Sequence, residues 1–171
     1  MITLESLESR WGARPIRVDT REYPNVHSAR FPLKSSSPTQ GAVMRTNEEI
    51  ENMLFQLQYP FEAHGEGLWI LNDEEDAIDN IVIHHDDPLL TIRVKVMEVP
   101  EKNQQALFEA LLKLNASDII HGAYGIDEGS VVLTDTIQSP QLDLNELQAS
   151  IDAISLALTT HYEQLSQYRN Q

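Results

Sequence analysis

Histidine and carboxylate crowd together once in this sequence, at His84-His85-Asp86-Asp87. Imidazole and carboxylate groups hold a transition metal when they converge on it from several elements. Here the two imidazoles are neighbours in a β-rich run, and adjacent side chains on a strand face opposite sides. His84 and His85 cannot easily share one ion, and Asp86-Asp87-Pro88 reads as a turn in its own right. Asn72-Asp73-Glu74-Glu75-Asp76 carries four acids in five residues. It lacks the glycine and the spaced glutamate of a calcium loop, so it reads as a solvated acidic loop. No G-x-S-x-G nucleophile elbow occurs, and no cysteine is present to act as nucleophile or thiolate ligand. Gly122, Gly125 and Gly129 lie in and after a strand with no helix behind them, so they form no phosphate cradle. Gly122 and Gly125 read instead as relieving a bend or allowing close packing. His121 reads as a structural residue of that strand. His161 falls on the apolar stripe of the last helix, either marking the end of burial or making a pH-sensitive contact. The expectation is no catalytic residue, no metal and no cofactor. The alternative is a small metal-dependent enzyme or hydrolase using residues near His84–Asp87.

The elements that position these groups follow from periodicity. Thr46 and Glu49 form a capping box ahead of the stripe Ile50, Met53, Leu54 and Leu57, which predicts a helix from 46 to about 58, before Pro60. Phe61–His64 leads into a Gly65-Glu66-Gly67 turn. Residues 68–71 and 78–83 read as strands, and so does 90–96, where Leu90, Ile92, Val94 and Val96 alternate with Thr91, Arg93 and Lys95. The alternation places Arg93 and Lys95 on an open sheet face, opposite acidic neighbours. A second helix is expected over 101–114, opened by Pro100 and stopped by Asn115. Its apolar residues Leu107, Phe108, Leu111, Leu112 and Leu114 make a band wider than one buried stripe requires. A hairpin then joins IIHGAYGI to SVVLTDTI through Asp127-Glu128-Gly129. Asp143 and Glu146 cap a long last helix whose stripe is Leu144, Leu147, Ile151, Ile154, Leu158 and Leu165. Tyr162 and Tyr168 read as packing residues at the core margin.

Composition narrows the function. The formal charge of −15 is unevenly placed: residues 1–45 hold seven Arg/Lys against four Asp/Glu, a balance of +3, and residues 46–171 hold five against 23, a balance of −18. Phosphate repels such a body, so nucleic acid is an unsuitable partner and a basic polypeptide a fitting one. No apolar run is long enough for a membrane span and the first 30 residues lack a signal-peptide core, so a soluble cytoplasmic protein is expected. Residues 1–45, with Pro15, Pro24, Pro32, Pro38 and Ser35-Ser36-Ser37, read as a basic arm on a domain of residues 46–171. The arm either folds back on the acidic body or is a loose tail.

The order helix, three strands, helix, two strands, helix resembles the type III secretion chaperone-like superfamily, including the Tir-chaperone and YbjN families. The resemblance is carried by LFEALLKLNASDIIHGAYGIDEGSVVLTDTI, with its L-x-x-L-N helix end, D-E-G turn and V-V-L strand, and by LDLNELQASIDAI, which opens the last helix. It implies an α+β fold, α-β-β-β-α-β-β-α, with one antiparallel sheet and helices packed mainly on one face. It also implies a non-enzymatic, cytoplasmic, chaperone-like or regulatory adaptor that is often a homodimer and binds an extended polypeptide. No cofactor is implied. Carried onto this chain, the family's dimer helix corresponds to Leu107, Phe108, Leu111 and Leu112.

Overall fold

In a computed structural model of the protein, residues 44–73 and 78–169 are described. The arm assigned to 1–45 therefore lies outside the described residues except for Met44 and Arg45, and so does most of the acidic loop. The elements are α1 (Asn47–Gln56), β1 (Phe61–Ala63), β2 (Leu68–Asp73), β3 (Ile78–Asp86), β4 (Leu89–Glu98), α2 (Gln104–Ser117), β5 (Ala123–Asp127), β6 (Ser130–Gln138) and α3 (Leu144–Ser166). The strands form one antiparallel sheet in the order β1-β2-β3-β4-β6-β5. The chain is α+β, as expected.

Antiparallel partners share a face, so register sorts the side chains. Trp69, Ile83, Ile92 and Asp135 lie across one another on one face, as do Leu71 and Ile81, and Val94 and Leu133. Against this face pack Ile50 and Leu54 of α1, Leu107, Leu111 and Leu114 of α2, and Leu147, Ile151, Ile154, Leu158 and Leu165 of α3. The stripe predicted for α3 is thus its buried side. The other face carries Thr91, Arg93 and Lys95. Arg93 is ion-paired with Asp127, and Lys95 with Glu98 at 2.5 Å, so both bases do meet acids.

Several boundaries differ from the sequence reading. β1 is an additional edge strand; three residues with exposed Glu62 and Ala63 carry no alternating apolar signal. β3 continues to Asp86 and includes both histidines, and the turn beyond it contains a cis Asp87–Pro88 bond. α2 begins at Gln104 and continues through Asn115 to Ser117, so Asn115 is not its stop. β5 begins at Ala123, which leaves His121 exposed ahead of the strand.

Capping explains where α1 starts. Thr46 Oγ1 accepts the Glu49 N–H at 3.2 Å, and Glu49 Oε2 accepts the Thr46 N–H at 2.9 Å. That backbone bond leads the effects that hold the Glu49 carboxyl below its usual range, with Arg45 adding to it. Arg45 also donates from Nε to the Leu142 carbonyl at 2.9 Å, tying the start of α1 to the approach to α3. At α3 only half of the expected box forms: Asp143 accepts the Glu146 N–H at 2.8 Å. The Glu128-Gly129 turn has φ 45° and 79°, the left-handed pair a two-residue hairpin requires.

Candidate functional site

The histidine run is divided by the pleat. His84 pairs with Thr91 on the open face, whereas His85 turns to the helices, where its Nδ1 lies 2.6 Å from Asn47 Oδ1. Burial lowers the His85 pKa and His84 adds to this, against the opposing pull of Asp87 and Asp86. Its Nε2 is enclosed without a hydrogen-bond partner among the described residues. Among the described residues, no three His, Cys, Asp or Glu side chains come together as a metal site. An open cleft of about 730 Å³ adjoins the pair, between the start of α1 and the β3–β4 turn. Met44, Arg45, Glu48, Glu66, Asp86 and Asp87 are among its walls, so it is predominantly acidic. Gly67 belongs to the same corner: its φ is +69°, and a Cβ there would stand 2.7 Å from the His85 carbonyl oxygen.

The other histidine with a distinct environment is His161, buried on α3. The Tyr124 hydroxyl lies 3.0 Å from its Nδ1. Burial pushes the Tyr124 pKa up, so the hydroxyl keeps its proton and shares a hydrogen bond with the ring nitrogen. Burial lowers the His161 pKa, while Asp118 opposes. Of the two sequence readings, the contact is the one with a partner: the side chain is fully inside, bonded to β5. Elsewhere on α3, Ser150 Oγ donates to Asp135 Oδ2 of β6 at 2.7 Å, so the buried carboxylate is bonded.

The edges of the sheet also present backbone groups without partners among the described residues. On β1, His64 donates to the Leu68 carbonyl and Asn72 donates to the Pro60 carbonyl. Residues 60, 62 and 64 therefore point their peptide groups at β2, and Phe61 and Ala63 point theirs outward. On β5, the two-residue turn makes Asp127 and Ser130 the closing pair, so Tyr124 and Ile126 face outward. Tyr124 is occupied by a side chain: its N–H donates to Asn115 Oδ1 at 2.7 Å, and its carbonyl accepts from Asn115 Nδ2 at 3.1 Å.

Large apolar side chains reach solvent near both ends of the sheet order. Phe55 of α1 is 77% exposed, Leu112 of α2 68%, Ile120 73% and Ile126 of β5 46%. The four residues expected at a dimer contact separate accordingly. Leu107 and Leu111 belong to the chain's own core, Phe108 packs partly against it, and Leu112 faces out. Among the described residues, no helix is long and apolar enough to cross a membrane.

No curated protein matches the sequence. The fold is shared with solved structures, among them the following two. The heterodimeric ExoU–SpcU complex from the type III secretion system of Pseudomonas aeruginosa contains a chain 18% identical. The match has a TM-score of 0.55 and covers 71% of this protein and 98% of that chain. YbjN from E. coli is 13% identical with a TM-score of 0.55, covering 72% of this protein and 96% of that one. The CesT_Tir_1 family model matches residues 43–171, which contain every helix and strand among the described residues, and the protein belongs to that type III secretion chaperone-like family.

Proposed function

We propose that this protein is a non-enzymatic, cytoplasmic, chaperone-like adaptor that binds an extended polypeptide segment. The observation that carries the reading is the outward peptide edge of β1. Phe61 and Ala63 present N–H and C=O groups that no described residue occupies. An extended segment added there satisfies those groups by strand addition, with alternate side chains supplying specificity. Exposed Phe55 stands on the helix that leads into β1 and offers an apolar anchor. The net charge of −15 favours a basic segment. Membership of the chaperone family supports the same reading, and the similar structure is itself a complex of two proteins, ExoU and SpcU. We also propose a homodimer whose contact includes Phe108 and Leu112, and an arm at residues 1–45 separate from the domain.

Ala63→Pro tests the strand addition. Proline removes an N–H that the β1–β2 ladder does not use, so the fold is expected to persist. The variant is expected to lose the protein that wild type captures from its native cytoplasm. Equal capture by both overturns strand addition at β1, and no captured protein with wild type counts against the adaptor reading as a whole.

A further inference from the structure

We propose that Asn115 is a built-in strand mimic: it closes the β5 edge of the sheet and so leaves β1 as the edge that takes a polypeptide. This inference rests on the reading of β1 given above.

A carboxamide is the side-chain copy of a peptide group, with one carbonyl acceptor and an N–H donor. Asn115 uses both on the same residue, accepting from Tyr124 N–H at 2.7 Å and donating to Tyr124 O at 3.1 Å. An incoming strand would make the same two bonds at that position. The backbone's own donor and acceptor fix which way the amide points, since the flipped amide would set N–H against N–H and oxygen against oxygen. Helix formation does not account for asparagine here, because it is a weak helix former placed inside the last turn of α2. Aspartate could accept from Tyr124 but could not donate to it, and alanine could do neither.

The edge needs such a closure. Leu112, Ile120 and Ile126 are exposed around it, and an apolar edge with free peptide groups pairs readily with a second copy of the same edge. Ile126 remains outward-facing without an occupant among the described residues, so Tyr124 is where pairing is blocked. Gly122 assists by bringing the start of β5 close to its neighbour. Its φ is +79°, and a Cβ would sit 2.5 Å from the Thr134 carbonyl oxygen.

Hydrogen exchange and sedimentation of the protein alone test this without any partner, so the outcome is independent of whether β1 binds a segment. In wild type, the Tyr124 amide is expected to exchange at least about tenfold more slowly than that of Ile126, the protection of one extra hydrogen bond. Equal rates overturn the proposal and require no variant. Asn115→Ala is expected to release the Tyr124 amide and to raise the sedimenting mass above wild type as β5 edges pair. Adding Ile126→Lys is expected to restore the wild-type mass, because an edge lysine opposes pairing. Faster Tyr124 exchange with unchanged mass makes Asn115 only an anchor between α2 and β5, and overturns the proposal equally.

Discussion

His161 shows how one buried side chain couples the fold to pH. Burial holds its folded pKa below the ordinary histidine value, while the unfolded chain titrates near 6.5. The unfolded state therefore binds more protons as pH falls. The stability that depends on a neutral His161 is complete above about pH 6.5 and is lost as pH drops through the folded pKa. His161→Asn keeps a donor and an acceptor in reach of the Tyr124 hydroxyl but cannot titrate. Urea midpoints measured between pH 7.5 and 5 are expected to fall less in this variant than in wild type. His85, whose pKa is also lowered by burial, leaves a residual slope. A variant with the full wild-type slope contradicts the assignment. Neither environment is visible in the sequence. The stripe places His161 on the buried side of α3, but its Tyr124 partner lies on a strand that only the folded sheet brings near. The opposite orientation of His84 and His85, in contrast, follows from the pleat alone and is what the structure shows.

At the scale of elements, capping and periodicity carry most of the information. Thr46-x-x-Glu49 marks the start of α1 because the bonds are local, closing over three residues. Thr46→Ala is expected to cost about 1 kcal/mol, read as a lower urea midpoint with an unchanged slope. An unaffected midpoint would show that Arg45, through Leu142 and Glu49, holds the helix start without the cap. Elements whose signals are non-local are less legible. β1 exists because β2 offers it an edge, and its three residues have no pattern of their own. The end of α2 is similar: asparagine commonly follows a helix, yet Asn115 lies within this one because its side chain is bonded to β5. The wide apolar band of α2 contains two stripes, Leu107/Leu111/Leu114 and Phe108/Leu112, about 100° apart on the helix. Only packing shows that the first is core and that Leu112 of the second faces out.

For the whole molecule, the asymmetry matters most: among the described residues, helices cover one sheet face, and one edge is occupied by a side chain while the other has no occupant. If second copies meet across α2, Leu112→Glu is expected to reduce the sedimenting mass to that of one chain with little change in melting temperature, since the residue is already in water. Unchanged mass rules Leu112 out of such a contact. The order of the strands has a further consequence for biosynthesis. The longest ladder joins β4 to β6, which are separated in the chain by all of α2 and β5. While the ribosome is still translating, β1 to β4 emerge first, and β4 is then a bare flank until residues up to Gln138 arrive. The nascent protein thus passes through a stage in which its future centre is an uncovered boundary, and elongation speed across α2, β5 and β6 sets how long that stage lasts.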